Sequence, residues 1–424
     1  MIDPRPGLPA HIALLLNENF DFSDPRLVFR KLKSMLSDLK NQTKFGSMQP
    51  LPRMDSSTPE FRAVLSGGLD LFGTTGACQA LQCRIRYADQ IARTVALMSD
   101  RVTAHDFFYE RILELRSRPT NAELYRLAAD IAVLKRLQPL IEAGIFCFTS
   151  PFMSVCAPCM NEFDKRVLHL TNEAIARVGH LMMVERDEDG GHIDLTALYE
   201  PALFIHFSGE STRTMTDEDL RSTFVYDAVR STIWDARAAA WTSGSVFSNS
   251  PTGISALLSA DGVHFTSPEL MAFAANRTAE LPWIASLTIE QTLSLRDAAS
   301  VALPQLREFM ARRLSGINDL PGSDNQWREI VAELREQAAE VRSELSAATR
   351  RSPSLRRNSA GILGLAVSAA CLLADGPVSA LGGLLGTLGL VHSNEEKHNH
   401  ALRAKPGYVL VSAKDILDHA QQAT

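Results

Sequence analysis

A run of 32 residues, 360–391, limits what this chain can fold into more than any other feature, because it carries one charge, Asp375, and seven of the 24 glycines. Asp375-Gly376-Pro377 divides it, since glycine frees the backbone and proline withdraws a donor. The flanking arms, 360–374 and 377–391, have 15 residues each. As helices they extend about 22 Å, short of a bilayer core of about 30 Å. The pattern predicts a glycine-rich apolar helical hairpin sheltered within a helical C-terminal part, its small residues permitting close backbone approach. Membrane insertion after a conformational change and self-association through the small-residue faces are the competing readings.

At 424 residues the chain has room for two or three domains and a substantial core. A net charge of -6 speaks against a dedicated nucleic-acid binder, whose affinity rests on neutralising phosphates with Lys and Arg. The opening Met1-Ile2-Asp3-Pro4-Arg5-Pro6 lacks a basic segment followed by an apolar run, and the six cysteines show no framework spacing. The expectation is a cytoplasmic protein, or one peripheral to the inner membrane.

Periodicity reads as mainly α with a few short β-strands, an α+β chain, divided into a mixed part, 1–265, and a helical part, 266–424, that contains the hairpin. Asp24-Pro25 caps an early helix. Thr120-Asn121-Ala122-Glu123 is a capping box for a helix that buries Leu124, Leu127, Ile131, Leu134 and Leu137. A second long helix is expected over 162–185, and strands over 203–207, 224–226 and 406–411. Segment 94–106 reads as a short hairpin about a Ser-Asp turn. Thr288 with Gln291 repeats the capping-box pattern, and the helix it opens is expected to continue to Leu314 with a kink at Pro304. The most regular helix is expected from Ser323 to Thr349, where Trp327, Ile330, Leu334, Val341 and Leu345 keep helical spacing.

Chemistry-bearing patterns are few. Ser66-Gly67-Gly68 and Gly73-Thr74-Thr75-Gly76 read as turns, because no Lys-Ser or Lys-Thr pair follows and no clear strand precedes. His105-Asp106 are neighbours in a predicted strand, so their side chains point to opposite faces and no mutual hydrogen bond is implied. Cys156-Ala157-Pro158-Cys159 presents two thiols on one turn, and with Cys147 and His169 it makes a candidate structural zinc set of Cys3His type. Inert buried thiols and a redox pair are the alternatives. Arg350, Arg351, Arg356 and Arg357 lie just before the hairpin and are candidates for membrane or partner contact, at about 1 kcal/mol per headgroup interaction.

Leu281-Pro282-Trp283 with Leu293, Leu295-Arg296 and Phe309, and the passage Leu140-Ile141-Glu142-Ala143-Gly144-Ile145, together resemble segments of uncharacterised bacterial proteins, some of them linked to phage-defence loci. The resemblance covers under a fifth of the chain and brings no catalytic residues with it. Strong helical periodicity without a specific catalytic motif leads to the expectation of a non-enzymatic bacterial interaction or sensor protein, in a stress or defence setting, with a protein partner or self-association. A membrane-acting effector using 360–391, and a zinc-dependent or thiol-redox enzyme using the Cys156/Cys159 region, are the alternatives.

Overall fold

The structure is a computed structural model and describes residues 7–45, 61–72, 80–149, 156–187, 190–194, 204–208, 214–241, 244–248, 253, 283–314, 324–351 and 400–422. The hairpin 360–391, Arg356 and Arg357 lie outside them. The chain divides into two units, one formed by Met1–Ala279, Thr288–Glu290 and Leu314–Ser323, the other by Glu280–Leu287, Gln291–Arg313 and Asp324–Thr424. Helix predominates, with two small sheets, so the mainly α, α+β reading holds.

In the first unit the order is α1 (Ala10–Asn17), α2 (Pro25–Phe45), β1 (Arg62–Ser66), α3 (Leu81–Arg93), α4 (Val95–Met98), β2 (Arg101–His105), α5 (Phe108–Glu114), α6 (Asn121–Arg136), α7 (Gln138–Glu142) and β3 (Phe146–Thr149). Then follow α8 (Ala157–Val178), β4 (Met183–Asp187), β5 (Gly190–Asp194), β6 (Phe204–Ser208), α9 (Asp217–Trp241) and β7 (Ser245–Ser248). Strands β4, β5 and β6 form an antiparallel sheet, while the four others are parallel in the order β3-β2-β1-β7. A parallel sheet needs apolar cover on both faces. Val64 and Val246 meet one layer, in which Phe163, Val167 and Leu170 of α8 pack with Val225, Val229 and Ile233 of α9. Opposite them, Phe72 and Phe108 close on Phe148, with ring centroids 5.7 and 6.5 Å from it.

Several sequence expectations are corrected here. Segment 94–106 is no hairpin: Val95–Met98 is a helix, and Arg101–His105 pairs in parallel with β1 and β3. A glycine turn does follow a strand, because β1 runs straight into Gly67, whose φ is 63°. Residues 224–226 lie inside α9, where Val225 packs in the core, and β-propensity gives way to burial on a helical face. The long helix after Cys156 starts earlier and stops at Val178, leaving Met183–Asp187 to a strand. Residues 204–208 form the expected strand, and the Thr120 capping box is present as read.

The second unit contains α10 (Ile289–Ala298), α11 (Ala302–Leu314), α12 (Asp324–Arg351) and α13 (Gly407–Gln422). The chain breaks between α10 and α11 ahead of Pro304, instead of kinking at it; proline at the third position of α11 has no donor to lose. Helix α12 fulfils its reading, with Ile330, Leu334 and Val341 buried. It packs along α13. The strand expected over 406–411 is the first turn and a half of α13, whose Val409, Leu410, Val411 and Ala413 are buried. Trp283 has φ 68°, a conformation bulky residues rarely adopt, and Lys414 Nζ stands 5.9 Å from its ring centre.

Candidate functional site

The parallel sheet reverses its direction of growth at β1. The chain steps outward from β1 to β2 and β3, then returns to place β7 on the other side of β1. The order sets the carboxyl ends of β1 and β7 side by side at this reversal, the kind of position at which open α/β sheets bind ligands.

Pairing register places one polar row at that edge. Ser66 of β1 is level with Ser248 of β7, and His105 of β2 with Thr149 of β3. Val64 is level with Thr103, so two residues further on Ser66 comes beside His105. Side chains two apart share a face, so the row stands on the face whose preceding layer, Val64 and Val246, packs against α8 and α9. Helix α9 brings Asp235 to it, with His105 Nε2 2.6 Å from Asp235 Oδ1. Asp106 turns to the other face, where its carboxylate lies 3.0 Å from His11 Nε2. The adjacent pair is split as strand geometry requires. Past β7, a Cβ on Gly253 would fall 2.1 Å from Thr232 Oγ1, so only glycine lets the chain come this close to α9, one turn before Asp235.

Charge is concentrated and buried in this row. His105 is 4% exposed, Asp235 2% and Asp70, just beyond the Gly67–Leu69 turn, 7%. Burial drives the Asp70 carboxyl up to about 7, against the opposing pull of His105. Burial pulls the other way on His105, but the charge and hydrogen bond of Asp235, helped by Asp70, overcome it and raise the imidazole to about 9. At neutral pH His105 is thus an imidazolium between two acids. Four buried polar atoms in this neighbourhood have no hydrogen-bond partner among the described residues: Ser66 Oγ, Asp70 Oδ1, His105 Nδ1 and Asp235 Oδ2. Each such atom carries a desolvation penalty of about 1–3 kcal/mol, which makes this row a candidate site among the described residues.

A second buried network fixes the segment that bears Asp70. Asp130 of α6, fully buried, accepts from Arg84 of α3 and Arg111 of α5. The same two arginines donate to the chain just after Asp70, Arg84 Nε to the Leu71 carbonyl at 3.0 Å and Arg111 to the Phe72 carbonyl. Planar guanidinium groups can serve a carboxylate and a carbonyl together. Three helices are tied in this way to the loop leaving β1.

In the sequence His105 reads as a strand residue with no implied partner and Ser66 as part of a plain turn, and neither Asp70 nor Asp235 belongs to a motif. Asp235 had no signal at all, being one acid in a helix 130 residues from its partner. The zinc candidates are placed apart. Cys156 and Cys159 are exposed at the start of α8, whereas Cys147 is buried in β3 beneath Gly7. His169 lies on α8, 3.5 Å from Glu173, and ten residues past Cys159, about 15 Å along the helix. Zinc ligands sit about 2.0–2.3 Å from one ion, so the set of four is not assembled, and no group of three or more candidate metal ligands occurs among the described residues. Arg350 and Arg351 end α12. Among the described residues no helix is long and apolar enough to cross a membrane. Compared with known family models, curated proteins and solved structures, the chain matches none.

Proposed function

We propose that the chain is a ligand-responsive interaction protein, a sensor whose input site is the carboxyl edge of the parallel sheet. Four unpartnered buried polar atoms beside the reversal point carry this reading. Their chemistry favours one class of ligand. Asp70 Oδ1 and Asp235 Oδ2 accept hydrogen bonds, the free Nδ1–H of the His105 imidazolium donates one, and Ser66 does either. A partner with neighbouring hydroxyls and one acceptor meets all four, which points to ligands of the nucleoside or nucleotide class.

Binding is favoured over catalysis by the protonation state. A histidine that keeps its proton to about pH 9 is no base for the Ser66 hydroxyl near neutrality.

The test is thermal melting of the full chain with adenosine, AMP, ATP and the guanosine equivalents. At about 100-fold above Kd a bound ligand adds about 2.7 kcal/mol, so at least one member should raise Tm. Asp70→Asn, which keeps the size and removes the charge, should still fold and should lose the shift. If no member moves Tm of the folded protein, the reading fails; if D70N keeps the full shift, the ligand binds elsewhere.

A further inference from the structure

Away from the sheet edge, α8 begins with an unusual cap. Cys156 is the N-cap residue and Cys159 the third residue of the helix, with Pro158 between them in the first turn. The two residues stand three apart at the exposed first turn of α8, a separation that a disulfide can span. The strongest influence on the Cys156 thiol is the Cys159 backbone N–H, followed by the Cys159 thiol, and both lower its pKa. Cys159 responds in the opposite direction, its thiol raised mainly by the hydrogen bond and charge of Cys156, with Arg237 of α9 pulling it back. Arg237 is held nearby, its guanidinium 4.7 Å from the centre of the Phe163 ring one turn further along α8. Both thiols are exposed. Neither is needed for packing, since the buried face of α8 starts at Phe163.

We propose that Cys156 and Cys159 are a reversible dithiol–disulfide couple, with Cys156 as the attacking sulfur and Cys159 as the resolving one. Two exposed thiols on one turn, with a helix N-terminus favouring the capping one as thiolate, form an exchange site needing no further ligand. The co-reactant is a small disulfide of the glutathione type. The Cys156 thiolate attacks one of its sulfurs, that S–S bond breaks, and the first thiolate leaves as the mixed disulfide forms. Cys159 then loses its proton and attacks Cys156 Sγ, forming the internal S–S bond and releasing the second thiolate. The protein gives up two electrons and two protons, and the small disulfide becomes two thiols. This couple stands independently of the ligand site on the sheet.

The experiment equilibrates the full-length protein in reduced and oxidised glutathione at graded ratios, quenches with acid and analyses the chymotryptic peptide between Phe152 and Phe163, which excludes Cys147. The expected result is a loss of two hydrogens from that peptide along a two-electron curve. Cys159→Ser should accumulate glutathione on Cys156, and Cys156→Ser should leave Cys159 largely unmodified, both variants keeping the far-ultraviolet dichroism of the parent. A pair that stays dithiol in fully oxidised buffer, or takes up glutathione on both sulfurs without closing, overturns the proposal. So does stoichiometric zinc in the purified protein that is lost from Cys156→Ser.

Discussion

Asp130 shows how one side chain sets the conditions for its neighbours. It is fully buried and accepts from two arginines that also hold the carbonyls of Leu71 and Phe72. A buried ion pair is weak support for stability in itself, yet removing one partner strands the other charge, at about 3–5 kcal/mol. Asp130→Ala leaves two cations without their carboxylate, so we expect a loss of that size in denaturant unfolding. If the midpoint is unchanged, the clamp contributes nothing. Sequence pattern reveals Asp130 only as a polar residue in a helix whose apolar stripe is plain. That it faces inward follows from where Arg84 and Arg111 arrive, and periodicity has no access to that.

At the level of elements, the readings that held were those with local causes. The Thr120 capping box is complete, with Thr120 N–H donating to Glu123 Oε2 at 2.6 Å and Glu123 N–H to Thr120 Oγ1 at 3.3 Å. Those that failed had competing long-range packing. The Tyr408-Val409-Leu410-Val411 run has every mark of a strand, but it is helical because one side must lie on α12. Gly407 makes that contact possible: a Cβ there would sit 2.6 Å from Ala338 N and from the carbonyl carbon of Gln337. These are backbone atoms within a helix and cannot step aside. Gly407→Ala should therefore push α13 off α12 and destabilise the second unit by about 1–3 kcal/mol, the usual range for overpacking. Hydrogen exchange at Val409 and Leu410 is the sensitive readout, and unchanged protection would show that the contact is looser than drawn.

For the whole molecule, the buried charges of the sheet edge give stability a definite pH dependence. Asp70 moves from 3.8 to about 7 and His105 from 6.5 to about 9. In both cases the folded protein keeps a proton that the unfolded chain has released, so stability falls as pH rises through each window. Carboxylates shifted the other way, such as Glu123 and Glu340, act at lower pH. Between pH 5 and 9 the urea midpoint should therefore fall, and Asp70→Asn should flatten the part below about 7 and lessen, without abolishing, the His105 part, which Asp235 chiefly sustains. A midpoint that climbs across this range contradicts the charge arrangement.

The sequence by itself determined the class, mainly helical with a few strands, along with the capped helix after Thr120, the regular helix before Arg351 and the divergence of His105 from Asp106. Each of these follows from spacing or from a side chain acting within one turn. Tertiary structure alone decided that the short apolar runs at 62–66, 101–105, 146–149 and 245–248 line up in parallel in the order β3-β2-β1-β7. It alone set Asp235 against His105 and gave the glycine turn after Ser66 a strand to follow. The physical reason is separation along the chain: strand order and buried polar clusters are fixed by partners tens to more than a hundred residues away, and no local periodicity records them.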